Sequence, residues 1–355
     1  MSAKIAQVKA NNHAHHLIFG TGLIGSYLGG ALIRAQQRVS FVGRKHFISQ
    51  ISARFTLSDY SGNRCELDGQ GQGFLLDELA KVEAVDILWL CVKCTALESA
   101  AADMRELVTK NTIIICCQNG VGTHHVIENA FPHNHVIRAM VPFNVVNDEP
   151  GVFHRGTEGS MILEVSPALN DSIKWLSRQM NTEMLPVDIS YHMTDLQWAK
   201  LQLNLGNAVN ALADIPVKAM LETREYRFFI ARLMNELLKV TEKQKIKLPK
   251  IANLPNTWIP SVLKLPNLLF KLVAKKMLAI DPQAKTSMWW DLHNQRTTEI
   301  DFINGKVVSQ AKKLDMTAPA NEWMVSLIHQ AQSSKRLTAK EFKAALLQFE
   351  QENNT

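Results

Sequence analysis

The sequence predicts an α/β domain built on a mostly parallel sheet, followed by an all-helical domain. Up to about residue 188, short apolar strands alternate with helical stretches, as they do in βαβ units. Two of these strands, residues 85–92 and 112–117, are almost continuously apolar, which is typical of strands buried on both faces of a parallel sheet. Beyond residue 188 we find only helical candidates. The length of 355 residues suits two domains of ordinary size.

In the first domain we expect a helix at residues 24–36 and strands at 16–19, 38–42, 85–92, 112–117, 136–141 and 161–165. Short alternating runs between residues 54 and 74 predict antiparallel excursions. In the second domain we expect a proline-rich loop at 246–266 and helices at 195–214, 219–244, 261–278, 287 onward, 299–314, 322–332 and 340–350. The expected boundaries are a flexible tail at 1–14, a nucleotide-binding domain at 15–188 and a helical domain at 189–352.

Composition and charge argue against several classes of protein. Hydrophobic residues make up 46% of the chain and charged residues 20%, which allows a large core. No apolar run reaches the roughly 18 residues that a membrane span needs, and residues 1–14 lack the apolar stretch of a signal peptide. The net charge is +6, but lysine and arginine are scattered and form no basic stripe with aromatics. We therefore expect no membrane and no nucleic acid as partner, and favour an enzyme for anionic ligands.

The five cysteines favour a reducing cytoplasm, because their number is odd and four of them lie in strand-like apolar runs. Cys91 and Cys94 have the spacing of a metal or redox pair. No second pair or histidine cluster completes a zinc site, so we interpret them as small buried hydrophobic residues and expect no metal.

The first strand runs directly into the segment Gly20-Thr21-Gly22-Leu23-Ile24-Gly25. In this pattern the first glycine permits a tight turn, the second lets the backbone approach a pyrophosphate, and the third allows close helix–strand packing. The N-terminus of the following helix offers free N–H groups to phosphates. The segment therefore predicts a Rossmann-like, doubly wound sheet that binds a dinucleotide. A glycine-rich turn without a ligand is the alternative.

Three further strand ends bear on the cofactor. An NAD enzyme usually has an acid after the second strand, whereas this chain has Arg44 and Lys45, which favour the 2′-phosphate of NADP over a merely solvated basic turn. Lys93 and Asn119 follow two later strands, and ligands bind at such carboxyl ends. The Asn119 side chain could bond a ribose, the nicotinamide or a substrate, or satisfy its own backbone.

A candidate catalytic face lies in the second domain. If residues 195–214 form one helix, Lys200, Asn204 and Asn207 share a face because they stand at i, i+4 and i+7. Most other positions are apolar, so we expect a buried helix whose polar groups line a cleft. A lysine there can have a lowered pKa and protonate a developing alkoxide. Alternatively, Lys200 lies at the helix edge and extends to water.

A later carboxylate is the second catalytic candidate. Glu299 borders an apolar helical face formed by Ile300, Ile303 and Val307. The carboxylate could orient the ammonium of Lys200 or a substrate hydroxyl. Alternatively, Glu299 is a first-turn acid that favours the helix dipole.

From residue 16 to about 327 the chain resembles the ketopantoate reductases (2-dehydropantoate 2-reductases). The resemblance rests on the glycine segment, Arg44, Lys93, Gln118-Asn119-Gly120, Trp198-Ala199-Lys200-Leu201 with Asn204, Ser287-Met288 and Thr298-Glu299-Ile300-Asp301 followed by Asn304-Gly305. The late motifs are fairly specific, whereas the glycine segment is not. The resemblance implies reduction of a 2-keto acid to a 2-hydroxy acid by NADPH, NADP(H) being the only cofactor.

The resemblance also implies roles for individual residues. Lys200 is expected to be the general acid, and Glu299 to hold the lysine and the substrate hydroxyl beside the cofactor. The other expected contacts are Asn204 and Ser287 to substrate, Asn119 between cofactor and substrate, and Gly20, Thr21, Gly22, Leu23, Ile24, Gly25, Arg44 and Lys93 to cofactor. A cation positioned at the ketone oxygen would stabilise the negative charge that hydride arrival places there.

The chain departs from the family pattern in two places. The family commonly has a second asparagine four residues after the first, where this chain has Ala208, so we add Asn207 as a substrate-binding candidate. The stretch 265–280 is longer than the family minimum. It could be a lid, a contact in a possible homodimer or a membrane-surface helix, although plain packing is favoured.

The leading expectation is therefore ketopantoate reduction in a cleft between the two domains. The alternatives are a reductase of another branched 2-keto acid and a catalytically silent NADP-binding regulator.

Overall fold

The computed structural model of the chain describes residues 14–52, 54–68, 73–250, 254–275, 278, 281–331 and 336–352. The chain divides into two compact units between Met193 and Thr194. Of the tail predicted at 1–14, only Ala14 lies among the described residues.

The first unit alternates strands and helices along the chain. Its strands are β1 (His15–Phe19), β2 (Arg38–Val42), β3 (Arg54–Asp59), β4 (Arg64–Asp68), β5 (Gly73–Phe74), β6 (Ile87–Leu90), β7 (Ile113–Cys116), β8 (His135–Met140), β9 (Val145–Val146), β10 (Val152–Arg155), β11 (Met161–Glu164) and β12 (Val187–Ser190). Its helices are α1 (Leu23–Arg34), α2 (Lys45–Ile51), α3 (Leu97–Asp103), α4 (His125–Ala130) and α5 (Asn170–Met180).

The larger sheet of the described residues has eight strands in the order β12-β11-β8-β7-β6-β1-β2-β5. The six strands from β8 to β5 are all parallel, and β8 pairs antiparallel with β11. Numbered within this parallel part, the strand order is 3-2-1-4-5-6, which is that of a doubly wound dinucleotide-binding sheet. The predicted fold class is confirmed for this part of the chain. The short β12 was not predicted, because four residues carry little periodicity.

A second sheet, in the order β4-β3-β10-β9, covers the other side of α1. Its β3–β4 hairpin is antiparallel, which confirms the predicted antiparallel excursion. The glycines of α1 allow this close packing: a Cβ at Gly29 would lie 2.1 Å from the ring of Phe41, and one at Gly30 would lie 2.8 Å from the ring of Phe55. The two rings also pack edge to face at 6.5 Å.

One buried histidine ties β1 to β6 and makes stability depend on pH. His16 is fully buried, and its Nδ1 accepts a hydrogen bond from Trp89 Nε1 at 3.0 Å, a bond that a protonated Nδ1 cannot accept. Burial lowers the pKa of His16 from 6.5 to about 3. The neutral ring therefore contributes stability that is complete above pH 6.5, declines below it and is lost as the pH falls through about 3.

We expect a His16→Asn variant, whose amide can accept the Trp89 bond without titrating, to lose part of this acid sensitivity. The measurement is the free energy of unfolding by urea at a series of pH values below 6.5 for both proteins. Parallel pH profiles for the variant and the parent would contradict this role of His16.

The described residues from Met193 onward form helices and no strand, as predicted. The helices are α6 (Met193–Asn204), α7 (Gly206–Ala213), α8 (Val217–Glu222), α9 (Arg224–Lys243), α10 (Ile259–Leu263), α11 (Asn267–Val273), α12 (Ser287–His293), α13 (Asn304–Lys313), α14 (Pro319–Gln330) and α15 (Ala339–Glu352). Within the ranges that the structure describes, no helix is long and apolar enough to cross a membrane.

Several predicted helices are interrupted. The helix predicted at 195–214 stops at Asn204 and resumes at Gly206, a poor helix former, although Leu205 keeps helical dihedral angles. The helix predicted at 219–244 is broken at Thr223, whose backbone is extended. The helix predicted at 261–278 is broken at Pro266, and α11 ends at Val273; residues 276, 277, 279 and 280 lie outside the described ranges.

Two further predictions are wrong in detail. The helix predicted at 299–314 begins only at Asn304, because residues Ile300–Phe302 form a 3₁₀ turn and Ile303 has φ −106° and ψ −89°. The loop predicted at 246–266 contains a 3₁₀ turn at Asn256–Trp258 and the helix α10. Proline at the first or second position of a helix is compatible with helical geometry, and Pro260 lies there in α10.

The long helix α9 organises the second unit through two buried charges. The guanidinium of Arg227 donates to the carbonyls of Leu263 and Leu265, each at 2.9 Å, which fixes the segment that leads into α11. The carboxylate of Glu236 accepts from the backbone N–H groups of Ala320 and Asn321 at 3.1 and 3.0 Å. These two N–H groups lie in the first turn of α14, where a carboxylate satisfies free donors and the helix dipole.

Candidate functional site

The glycine turn joins β1 to α1 and is fastened to β2. The backbone N–H groups of Gly20 and Thr21 both donate to the carbonyl of Val42, at 2.9 and 3.2 Å. Gly20 has a φ of +99°, a region that residues with a Cβ rarely adopt. Gly22 caps α1, which has no acidic residue in its first turn. The free N–H groups at this helix end can therefore bind a phosphate.

The surroundings of the three glycines divide them into two kinds. A Cβ at Gly25 would lie 2.3 Å from the carbonyl oxygen of Gly20, and a Cβ at Gly20 would lie 2.8 Å from the backbone nitrogen of Val92. At Gly22, no atom lies within 4 Å of the same position. Gly20 and Gly25 therefore close the turn, whereas Gly22 leaves open space beside the helix N-terminus. The open space fits a pyrophosphate approaching the backbone.

Arg44 lies at the carboxyl end of β2, where it precedes α2 as the N-cap residue. The Arg44, Lys45 and His46 side chains are all exposed. Position 43 must be glycine, because a Cβ there would lie 1.7 Å from Thr21 Oγ1. Because Gly43 lies so close to Thr21, Arg44 lies at the same edge of the sheet as the glycine turn. The basic side chains and the missing acid fit a phosphate better than a free ribose hydroxyl pair.

The loops after β6 and β7 are joined to each other. The Sγ of Cys94 donates to the carbonyl of Asn119 at 2.9 Å, and the side-chain amide of Gln118 donates to the carbonyl of Leu90 at 2.7 Å. Lys93 is exposed in the first of these loops, and Asn119 is half-buried in the second. The structure therefore brings Lys93 and Asn119 into neighbouring loops, as predicted from their positions after adjacent strands.

The predicted cofactor residues follow strands on both sides of the point where the strand order reverses. β1 lies between β2 and β6, and successive strands run outward from β1 in both directions. In open α/β sheets a ligand binds beyond the carboxyl ends of the strands at such a point. Gly22, Arg44, Lys93 and Asn119 follow β1, β2, β6 and β7. The first unit therefore has the features of a dinucleotide site.

In the second unit, the predicted polar face is divided between two helices. Lys200 and Asn204 lie one turn apart on α6, and Asn207 lies in the first turn of α7. All three side chains are half-buried. The sequence had left open whether Lys200 is buried or extends to water, and its exposure lies between these two. Leu203, by contrast, is 42% exposed, so the expectation of a buried helix is wrong at this position. Whether Lys200 is the general acid stays a prediction.

A buried asparagine joins α7 to the start of α12. Asn210 is fully buried, and its Oδ1 accepts from the backbone N–H and the hydroxyl of Thr286 at 3.1 and 3.0 Å. Thr286 in turn caps α12, because its Oγ1 accepts from the backbone N–H of Trp289. The Thr286 hydroxyl also lies 3.4 Å from the carbonyl of Asn207. The structure therefore brings Asn207 and Ser287, two predicted substrate-binding residues, to adjoining segments.

We expect an Asn210→Ala variant to lose about 1–3 kcal/mol of unfolding free energy, because it leaves the partly buried N–H and hydroxyl donors of Thr286 without their acceptor. If Ser287 binds substrate, the KM for the keto acid should rise while the dissociation constant of the cofactor stays unchanged. Asn294→Ala, an exposed position at the opposite end of α12, is the matched control. An unchanged KM in a destabilised Asn210 variant would contradict the positioning role.

The αL residue at the end of α7 anchors the same region. Asp214 Oδ1 accepts from Trp289 Nε1 at 2.6 Å and lies 3.4 Å from Lys285 Nζ, and its other oxygen pairs with Arg336. Burial opposes the charge, but these donors outweigh it and hold the pKa of Asp214 below its usual range. The carboxylate therefore stays ionised near neutral pH and fixes the start of α12 from the second side.

Glu299 lies immediately before the 3₁₀ turn Ile300–Phe302 and not inside a helix. Its carbonyl accepts from the backbone N–H groups of Phe302 and Ile303 at 3.0 and 3.1 Å. The turn packs against α13 and α14, and α14 also packs against α7. The structure thus places Glu299 in the part of the second unit that contains α7. The pairing of its carboxylate with Lys200 stays a prediction.

Comparison with known protein families accounts for both units. The family model described as ketopantoate reductase PanE/ApbA matches residues 16–167, and the model of the C-terminal part of the same family matches residues 192–332. The chain belongs to the ketopantoate reductase family. The resemblance inferred from the sequence motifs is confirmed, and the chain is a member of an oxidoreductase family.

Individual relatives are distant but span almost the whole chain. A 2-dehydropantoate 2-reductase of Lactococcus lactis is 22% identical over 320 residues, covering 88% of this chain and 96% of that protein. The crystal structure of a family member from Ralstonia eutropha has a TM-score of 0.72 at 23% identity and covers 90% of this chain and 98% of the other. D-mandelate dehydrogenase with NADH and anilino(oxo)acetate has a TM-score of 0.73 at 22% identity, covering 91% and 100%. These structures share the fold.

Sequence reasoning missed three residues that shape the candidate site. Gln118 was treated only as a family marker, but its amide donates to the carbonyl of Leu90 at the end of β6 and to that of Val92 in the following loop. The sequence analysis gave Asn210 no role and did not consider Thr286, although the two side chains are hydrogen-bonded. A cap residue directly before Ser287 was a usable signal for Thr286. The buried bond of Asn210 had no signal, because its partner is 76 residues away.

The described residues also include one cluster of metal-ligand types that the sequence analysis did not name. His124, His125 and Glu128 have candidate ligand atoms within 4.8 Å of one another. His125 Nδ1 is already 2.7 Å from Glu128 Oε2, and the positive charge of Arg138 acts on His124. A nearby guanidinium disfavours a second cation, so we assign the cluster no role.

Proposed function

We propose that this protein is an NADPH-dependent reductase of a 2-keto acid, with ketopantoate as the leading substrate and pantoate as the product. The observation that carries the proposal is the half-buried Lys200 on α6, one turn from Asn204 and followed by Asn207 in α7. Asn207 adjoins Thr286 and Ser287. A cation among amide and hydroxyl groups suits a ketone oxygen that becomes negatively charged.

Bound NADPH would supply the hydride that reduces the keto carbon. The ammonium of Lys200 gives its proton to the ketone oxygen as the new C–H bond forms, and solvent then restores that proton. Asn204, Asn207 and Ser287 bind the substrate and hold its carbonyl towards the lysine. Glu299 keeps the lysine charged and accepts from the product hydroxyl. The products are a 2-hydroxy acid and NADP⁺.

The first unit binds the cofactor in this proposal. Gly22 and the free N–H groups at the N-terminus of α1 would hold the pyrophosphate. Lys93 and Asn119 face the ribose and nicotinamide end. Arg44 binds the 2′-phosphate. The structurally similar D-mandelate dehydrogenase forms a complex with NADH, so the choice between the two cofactors depends on this chain's own residues.

We expect Arg44→Ala to weaken the binding of NADPH about tenfold or more and to leave the binding of NADH almost unchanged. The reason is that the guanidinium makes a charge-assisted bond to the 2′-phosphate, which NADH lacks. Dissociation constants for both cofactors, measured by titration of the protein's fluorescence, check this. Arg105→Ala, which removes another exposed guanidinium of the first unit, is the control. An equal loss for both cofactors would contradict a 2′-phosphate contact.

A panel of 2-keto acids tests the substrate. We expect kcat/KM with NADPH to be highest for ketopantoate, lower for unbranched 2-keto acids and lowest for phenylglyoxylate, the keto acid that corresponds to mandelate. A higher kcat/KM for another branched 2-keto acid would support the proposed reaction but assign it a different substrate. Tight NADPH binding with no turnover of any keto acid would favour a silent NADP-binding regulator instead.

We also propose that the protein works in a reducing cytoplasm and forms a homodimer. All five cysteines are free, and two of them are buried. One structurally similar protein is a dimeric ketopantoate reductase from Staphylococcus aureus.

A further inference from the structure

Lysine and arginine are scattered over the whole sequence, but the excess of positive over negative charge lies in one acid-free stretch. Residues 243–280 contain eight lysines and no aspartate, glutamate or arginine. Because the whole chain has a net charge of +6, this stretch of +8 leaves the rest at −2. A run of 38 residues without a single acid is not the mixed surface of an ordinary soluble face. The stretch leads from the end of α9 through α10 and α11.

Large apolar side chains are exposed in the same stretch. Leu268 is 85% exposed and Leu272 is 75% exposed, and Leu269 and Val273 are both more than half exposed. These four side chains lie at i, i+1, i+4 and i+5 of α11, so they share one face of the helix. Trp258, before α10, is 63% exposed. An exposed apolar face of this kind marks an interaction surface.

The opposite face of α11 is anchored firmly in the second unit. Phe270 is fully buried, and the guanidinium of Arg227 lies 4.2 Å from the centre of its ring. Asn267 Oδ1 accepts from Arg227 at 2.9 Å, and Ala274 is 2% exposed. The leucines are therefore held outward by a fixed helix, and they cannot turn inward without breaking these contacts.

Lysines flank the apolar face. Lys271 and Lys275 are exposed and stand one turn apart beside the leucines, and Lys264 is exposed at the end of α10. Lys271 lies 3.5 Å from Glu222, an acid on α8 that lies outside the stretch. A shallow cavity of about 250 Å³, lined by Trp258, Ser261, Val262 and Leu265, continues the apolar surface on the neighbouring α10.

We propose that α11 and the end of α10 form a docking surface for an anionic lipid bilayer. The leucines enter the boundary between headgroups and acyl chains, Trp258 lies at headgroup level, and the lysines bind lipid phosphates. An apolar helical face flanked by lysines is the pattern of helices that lie in a membrane interface. The stretch has eight lysines and no acid, and anionic headgroups supply the negative charge that complements them. Each lysine near the bilayer surface raises the affinity about fivefold.

The same charges disfavour a second copy of this chain on the surface. A two-fold contact places the same patch on both subunits, so lysines would face lysines with no carboxylate of the stretch to neutralise them. The proposal departs from the sequence-based expectation of no membrane partner, which rested on the lack of a spanning run and of a signal peptide. The exposed leucines of α11, which the sequence analysis expected to be packed, are the observation that changes it.

The test is flotation of the full-length protein with vesicles of phosphatidylcholine alone and of phosphatidylcholine with phosphatidylglycerol. We expect binding to the anionic vesicles only, weakened by added salt. Leu268→Ser with Leu272→Ser should abolish binding, and Lys271→Gln with Lys275→Gln should weaken it about 25-fold. These positions are exposed, so the melting temperature should not change.

Leu347→Ser, which changes a leucine on α15 that is 51% exposed, is the control and should bind as the parent does. Two results would overturn the proposal. One is the absence of flotation with anionic vesicles. The other is a parent protein that is dimeric in solution and becomes monomeric when Leu268 and Leu272 are changed to serine, because a second copy would then cover the face.

Discussion

Lys200→Ala is expected to lower kcat for keto acid reduction by about 10²- to 10⁴-fold, the range that a positioned general acid contributes. The alanine cannot protonate the ketone oxygen, so the negative charge that develops there has no partner. The dissociation constant of NADPH should stay within about twofold of the parent's, since Lys200 lies on α6 in the second unit and the glycine turn lies in the first.

Lys200→Arg separates proton donation from simple electrostatics. Arginine keeps the positive charge but does not give up its proton near neutral pH. We expect the arginine variant to remain strongly impaired. Lys239→Ala, which removes an exposed lysine from α9, is the control for loss of charge and should be fully active. Full activity of Lys200→Arg would show that the charge alone is needed and that another group donates the proton.

Alanine at Gly22 should weaken NADPH binding and leave stability unchanged, whereas alanine at Gly25 should destabilise the fold. The space around Gly22 is open within 4 Å, so Gly22→Ala should fold with an unchanged melting temperature. Its methyl group would occupy the surface that the pyrophosphate approaches, and we expect NADPH affinity to fall by about 100-fold or more. At Gly25 the methyl group meets the carbonyl oxygen of Gly20 at 2.3 Å. We expect this overpacking to cost about 1–3 kcal/mol of unfolding free energy.

The two glycine variants are each other's controls in a joint measurement of melting temperature and NADPH binding. A Gly22→Ala variant that binds NADPH as well as the parent does would contradict the proposed cofactor position. A Gly25→Ala variant of unchanged stability would contradict the packing of the turn.

The parallel sheet was predictable because its central strands are buried on both faces and are therefore almost uniformly apolar, as in Ile113–Cys116. Because the glycine turn and Lys93 follow strands of this sheet, the predicted topology already placed them at the same edge. The short β12 and the division of the predicted catalytic helix at Leu205 did not, because four-residue strands and one-residue interruptions barely alter periodicity.

Long-range polar contacts were not predictable for a different reason. Asn210 and Thr286 are common residue types whose meaning depends on a partner far along the chain. Likewise, the apolar residues of α11 have the composition of a packed helix, and only the structure places Phe270 inward and Leu268 outward. Sequence periodicity indicates that a helix is amphipathic, but it does not state which face is covered.

The account is tested most directly by following the hydrogen that reduces the keto acid. NADPH labelled with deuterium at C4 of the nicotinamide, on either face, is incubated with ketopantoate and the protein, and the product is analysed by mass spectrometry. We predict pantoate that carries one deuterium at C2 from one of the two labelled forms, and almost no product with Lys200→Ala. Bound NADPH with no labelled hydroxy acid from ketopantoate or any other 2-keto acid would contradict the proposed reaction.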